Sequence, residues 1–262
     1  MDISRAVRTV RRLLPAILLG VLLLVGWELY VRISGVRPQI LPAPSRVFAQ
    51  GIAHSSDLWR HASATLQVTL IGCSLTLIVS WLIATAVDFI PWFRLSVTPF
   101  LVASQTIPIV AIAPLMIIWF GFGTLPKVLV IILVTFFPIT LGLIEGFLTT
   151  SPTATALLTS MGASRWQIFY RLRVPQAMPR FFTSLRIGVT YAVVGAIFAE
   201  YVGARAGLGL YMSAQKNSFR TDLVLAAVAL TALMSVALFL FTYLVQRIVA
   251  PWTVVTGKDT RG

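Results

Sequence analysis

Charge is scarce in this chain of 262 residues, and acid scarcer still: 8 Asp and Glu stand against 21 Lys and Arg, and charged residues make up 11% of the sequence. Soluble domains carry roughly 25% charged residues, so a fold with a water-facing surface all round is excluded. The single cysteine, Cys73, excludes an intrachain disulfide and reads as a small buried hydrophobe inside an apolar run. Histidine occurs twice, and His54 and His61 have no cysteine and only Asp57 near them, so no tetrahedral ligand set is evident and both read as solvated loop residues. No metal and no cofactor is expected. A phosphate-binding P-loop is also missing. Its nearest lookalike, Gly257-Lys258, has Trp252 where the first glycine belongs and Asp259 after the lysine. Gly207 and Gly209 in GLGLYM lack the strand before and the helix after that a phosphate cradle requires, and read as a close turn re-entering the membrane. No basic tract interleaved with aromatics supports a nucleic-acid partner, so the net charge of +13 is assigned to a membrane face.

Apolar residues, at 58%, are what the chain has in abundance. A helix needs about 20 apolar residues to cross a hydrocarbon core of roughly 30 Å, and six stretches fit: 13–31, 64–90, 95–120, 127–148, 182–203 and 222–249. The expected fold class is all-α, a polytopic membrane protein with six transmembrane helices. Its expected domains are a basic cytoplasmic N-terminus 1–12, a six-helix membrane domain 13–249 and a cytoplasmic tail 250–262. The first span follows Arg5, Arg8, Arg11 and Arg12 and runs on into WELYVRIS without a small-x-small cleavage site, which reads as a retained signal anchor. With both termini inside, 13 of the 21 Lys and Arg fall on the cytoplasmic side, four of them between spans four and five and a fifth, Arg186, at the start of span five.

That fourth loop, 149–181, is unlike its apolar neighbours. Ser151-Pro152 is an N-cap followed by proline at the first helical position. The short helix that starts there groups Leu157, Leu158 and Met161, then meets Gly162, suited to a left-handed turn. Ser164-Arg165-Trp166-Gln167 is a capping box for a second helix, which brings Phe169 and Leu172 to one face and is expected to end near Val174 because Pro175 follows. Two such helices could lie in lipid headgroups or dock onto a partner.

Residues 156–175 resemble the cytoplasmic loop signature of ATP-binding-cassette importer permeases, E-A-A, three residues, G, nine residues, I-x-L-P. Aligned on Gly162, the chain reads Ala156-Leu157-Leu158, Gly162, Leu172, Val174 and Pro175, with Ala156 in place of the signature glutamate. LPAPSRVF, QTIPIVAIAPLMIIWFGFG, PKVLVIILVTFFPI and AEYVGARAGLGLYM look like the nitrate, taurine and sulfonate branch of these permeases. QTIP and the PW after the last span look most like permeases for thiamine-precursor pyrimidines or riboflavin. The resemblance implies a type I importer permease, a homodimeric or pseudo-symmetric pore in the bacterial inner membrane. It further implies cytoplasmic ATPase subunits, an extracytoplasmic solute-binding protein and no catalytic residue in this chain. It marks Ala156, Leu157, Leu158, Met161, Gly162, Ala163, Ser164, Arg165 and Pro175 as ATPase-coupling residues.

Candidates for the translocation pathway come from position. Gln105, Thr106 and Pro108 fall near the middle of span three, where proline frees backbone groups that a cavity or polar side chain must satisfy. Glu145 and Glu200 lie at span ends, where an ionisable group is a functional candidate; Glu145 could instead pair with a nearby arginine, and Glu200 could touch the path or form a structural ion pair. A secondary carrier or channel would be expected to show mid-membrane charges for coupling, and an intramembrane enzyme a buried nucleophile with a base or a metal cluster. The sequence shows few of the first and neither of the second.

Overall fold

Backbone groups in lipid must be satisfied within their own segment, and helix is the simplest solution. The computed structural model, which describes residues 3–106 and 108–255, contains no strand among them. Its helices are α1 Ile3–Ser34, α2 Pro44–Ala53, α3 Ser55–Phe89, α4 Pro91–Gln105, α5 Ile109–Phe120 and α6 Thr124–Leu148. There follow α7 Pro152–Ser160, α8 Arg165–Ile168, a π-turn Phe169–Arg173, α9 Val174–Val202, α10 Leu208–Asn217, α11 Thr221–Val249 and α12 Trp252–Val255. The Gly257-Lys258 pair, and Arg261 with it, lies outside the described residues, as do the side chains of Arg5, Arg8, Arg11 and Arg12.

Five segments among the described residues are long and apolar enough to cross a bilayer: Leu14–Ser34, Ser55–Phe89, Thr124–Leu148, Arg165–Val202 and Thr221–Val249. The expected third span, 95–120, is not one helix. α4 stops at Gln105 and α5 starts at Ile109, with Pro108 extended at φ −70° and ψ 116°. Proline has no N–H for the helical ladder, so the span is broken before Pro108 rather than kinked. The segment 32–63, expected as a loop, is also more helical than expected. LPAPS places Pro44 in the first turn of α2, and α3 begins at Ser55 with Asp57 in its first turn, favourable for the helix dipole. His54 therefore caps α2 and His61 lies within α3, both half-buried rather than solvated.

The chain forms two compact units. In the unit of residues Met1–Trp59 and Tyr211–Ala229, polar fastenings recur. Glu28 accepts from the Ser45 backbone N–H at 3.0 Å and hydroxyl at 2.8 Å, tying α1 to α2. Asp222, nearly buried, pairs with Arg46 and Arg220 at 3.1 Å each, and Arg220 also donates to Gln50 at 2.9 Å. Two guanidinium partners compensate the desolvation of that one carboxylate.

The unit of residues Arg60–Leu210 and Leu230–Gly262 holds the main apolar core, including Ile131, Ile139, Leu143, Ala177, Phe182 and Ala196. Small residues set its spacing. A Cβ on Gly146 would lie 2.8 Å from Cβ of Ala177, and one on Gly188 2.8 Å from Ile139, so α6 and α9 approach as only small side chains permit. Thr76 and Thr135 share a hydrogen bond at 2.8 Å, and Thr140 donates to Ser80 at 3.0 Å, bridging α3 and α6 with hydroxyls. Such bridges contribute about 0.6 kcal/mol each in a membrane. They fix register more than they stabilise.

Candidate functional site

The insert between α6 and α9 is built by local rules that the sequence displays. Ser151 accepts from the Ala154 N–H at 3.3 Å and Pro152 opens α7. At the other end the Ala163 N–H donates to Leu158 O and the Gly162 N–H to Thr159 O, both at 3.0 Å, while Gly162 sits at φ +79°. That is the two-bond Schellman ending, with glycine at its left-handed position. Ser164 and Gln167 form the reciprocal capping box of α8. Leu157, Met161, Gly162, Ser164 and Arg165 are exposed, as is Ala156; Leu158, Ala163 and Pro175 are half-buried.

One expectation fails here. The second helix does not end near Val174. It passes through the π-turn Phe169–Arg173 into α9, so that residues Arg165–Val202 form one helical rod. The Val174 N–H donates to Phe169 O, five residues back rather than four. The wider turn relaxes the ladder just where proline would clash with the carbonyl four residues before it, and Pro175 falls in the first turn of the following α-helix. The Trp252 indole N–H, from the PW pair after the last span, donates to the Pro175 carbonyl at 3.3 Å.

The insert is fastened at its base. Arg173 forms an ion pair with Asp88 at the end of α3, with the Asp88 side chain only 10% exposed. Phe89 packs its ring 4.6 Å from Trp166 and 5.2 Å from Phe169, and Phe169 lies 5.2 Å from Phe147 at the end of α6. Sequence reasoning passed over Asp88. Its one signal was an acid at the end of the second span, 64–90. Glu145, by contrast, pairs with Arg180 at 2.9 Å with both side chains about half exposed.

The pathway candidates fall in two places. Gln105 closes α4, while Thr106 and Pro108 are exposed at the break before α5; the Thr106 hydroxyl donates to Ala103 O at 2.8 Å. Glu200 is fully buried near the end of α9. Its Oε2 accepts from the Thr65 hydroxyl at 2.9 Å and the Gly209 N–H at 3.0 Å, while its Oε1 has no hydrogen-bond partner. Thr65 in turn accepts from the Leu208 N–H at 2.8 Å, and His61 Nδ1 lies 3.1 Å from Gly207 N. Lys127 donates to Ala206 O at 3.2 Å in the same loop. Gly207 thus makes a close turn against a carboxylate that caps the start of α10, whereas Gly209, read as part of a turn with no helix after it, lies in the first turn of that helix.

Comparison with known proteins gives this geometry its context. The family described as "Binding-protein-dependent transport system inner membrane component" matches residues 76–255. The formylaminopyrimidine transport permease protein ThiX of Halalkalibacterium halodurans is 37% identical over 232 residues, covering 88% of this chain and 92% of that protein. The riboflavin transport system permease protein RibX of Chloroflexus aurantiacus is 37% identical over 257 residues, 95% of this chain and 96% of that one. The taurine transport system permease protein TauC of Escherichia coli is 30% identical over 242 residues, covering 89% and 87%. A solved inward-facing structure of the MetNI methionine ABC transporter aligns with TM-score 0.52 at 17% identity, over 72% of this chain and 95% of that one, a likeness of fold. The chain belongs to the inner-membrane components of binding-protein-dependent transport systems: it is a multi-pass permease, not an enzyme, and such a system implies an ABC ATPase and a solute-binding protein as its partners.

Proposed function

We propose that this permease imports a small aromatic heterocycle, of the pyrimidine thiamine-precursor or flavin kind rather than a sulfonate, taurine or nitrate, and that residues 151–175 couple it to the ATPase. The pore is a homodimer, α4 and α5 together make one crossing so that each subunit crosses six times, and both termini are cytoplasmic. Gln105, Thr106 and Pro108 line the path, since a broken span supplies polar backbone at membrane depth only where a cavity or protein receives it. The solute class is supported by the two relatives named for a formylaminopyrimidine and riboflavin, at 37% identity against 30% for the taurine permease.

The observation that carries the coupling reading is the build of the insert. A capped helix, a glycine turn and a second helix continuous with α9 present Leu157 and Met161, 62% and 73% exposed, at the end of a rigid rod. A floppy loop could not convey a push; this one can. The test is reconstitution of the permease with its ATPase and binding protein, with a pyrimidine precursor, riboflavin or taurine supplied. Gly162→Asp is expected to remain in the membrane and to abolish solute-stimulated ATP hydrolysis. Normal stimulation in that variant refutes the coupling reading, and stimulation by taurine alone refutes the solute class.

A further inference from the structure

We infer that Asp88 and Phe89, at the end of α3, are positioning residues of the coupling insert. They clamp it to a helix that is not its neighbour in sequence, so that a push on the insert reaches α3 as well as α6 and α9. The inference rests on the coupling role assigned above to residues 151–175.

Among the described residues the insert is attached to three membrane helices, and the attachments differ in kind. Its connection to α9 is covalent and helical, through the π-turn. The connection to α6 is covalent through residues 149–151, and is reinforced where Phe147 meets Phe169 at 5.2 Å. α3 has no such continuity, since 85 residues separate Asp88 from Arg173. Its attachment consists of the Asp88–Arg173 ion pair and the Phe89 ring against Trp166 and Phe169.

Both contacts are directional. Removing one partner of a shielded ion pair leaves an uncompensated charge, and aromatic rings hold one another in offset or edge-on arrangements within about 4.5–7 Å. These side-chain contacts fall on Trp166, Phe169 and Arg173, on the α9 side of Gly162. The outer half of the insert, with Leu157 and Met161, is left open for a partner. The division is thus between a free docking half and a bolted transmitting half. Asp88 and Phe89 are the bolts that reach α3. Without them the insert would still meet the ATPase, but its motion would be delivered to α9 and α6 alone.

The experiment uses the full permease reconstituted with ATPase and binding protein, and reads three quantities: ATPase retained on purification, basal ATP hydrolysis, and the ratio of solute-stimulated to basal hydrolysis. Asp88→Asn and Arg173→Gln are expected to retain the ATPase and basal hydrolysis while the stimulation ratio falls about fivefold or more, the scale of a coupling free energy between sites. Arg173→Lys, which keeps the charge, is expected to retain most of the stimulation. The double variant Asp88→Asn with Arg173→Gln is expected to be no worse than either single variant, because the two residues act through each other. A simple loss of fold would instead lower all three readings together and would worsen in the double variant; that result overturns the positioning role. Gly162→Asp in the same preparation separates the two claims. If it has lost stimulation while both neutral variants keep the wild-type ratio, the clamp is refuted and the coupling role of the insert stands.

Discussion

A side chain on Gly207 would collide with Glu200: a Cβ built there lies 2.1 Å from Cδ of the carboxyl group. Gly207 also adopts φ +134°, outside the range of L side chains. Sterics and backbone strain act together, the latter alone costing about 1–3 kcal/mol. Gly207→Ala is therefore expected to lower the melting temperature of the detergent-purified protein more than Glu200→Gln. The amide oxygen of the glutamine can still accept from Thr65 and Gly209, as Glu200 Oε2 does now. Equal shifts for the two variants would show that the turn is not packed on Glu200 as described.

The second expectation is of a small effect. Glu145 lies in an apolar helix, where an ionisable group is a functional candidate by default. Its side chain and that of Arg180 are 49% and 51% exposed, however, and exposed ion pairs contribute about 0–1 kcal/mol. Glu145→Gln is expected to leave uptake and melting temperature near wild type. A tenfold loss of uptake would return Glu145 to the site.

Orientation is tested by labelling. With Cys73 replaced by serine, a Ser164→Cys variant carries its one cysteine at an exposed position of the insert. An impermeant maleimide is expected to label it from the cytoplasmic side of oriented vesicles and not from the other. Labelling from the periplasmic side would reverse the topology and remove the docking argument with it.

Local rules were the legible part of this molecule. The Ser151 cap, the Gly162 ending and the Ser164–Gln167 box each involve residues within five positions of one another, and the structure holds all three as read. Proline was misread at both 108 and 175: the first was placed inside one span, 95–120, and the second was taken to end a helix. Both residues lack the same N–H, but at 108 the chain leaves the helix, whereas before 175 a π-turn absorbs the mismatch and the helix continues. Beside that π-turn lie the Asp88–Arg173 ion pair and the Phe89–Phe169 contact, both from α3, which no window around Pro175 contains. The same limit hid Asp88–Arg173 and Glu200–Thr65, pairs 85 and 135 residues apart. His61 was misread because its partner, Gly207, is 146 residues away.

The break between α4 and α5 supports a test of the pathway. Gln105→Leu replaces a polar side chain at the end of α4 with an apolar one of similar length. Solute uptake is expected to fall or its selectivity to change, while ATPase co-purification stays at the wild-type level. Wild-type uptake kinetics would take Gln105 out of the path.

Two different costs are bound up in Gly162, and a pair of substitutions separates them. Its left-handed φ of +79° penalises any side chain with a Cβ by about 1–2 kcal/mol. Asparagine is the exception, because its short polar side chain tolerates that region through local hydrogen bonds. The chain itself offers no steric objection, since no heavy atom lies within 4 Å of a Cβ placed there. If glycine is present only to make the turn, Gly162→Asn couples normally and Gly162→Ala is the poorer variant. If it is present because the ATPase approaches the bare backbone, the order reverses: Asn keeps the turn but obstructs the partner, and Ala strains the turn but obstructs less. The exposed setting between Met161 and Ser164, with α7 ending and α8 starting within three residues, favours the second case. Gly162→Asn is therefore expected to melt close to wild type yet lose most solute-stimulated ATP hydrolysis, with Gly162→Ala retaining more of it. Normal stimulation in the asparagine variant would falsify the close approach and leave Gly162 a turn former alone.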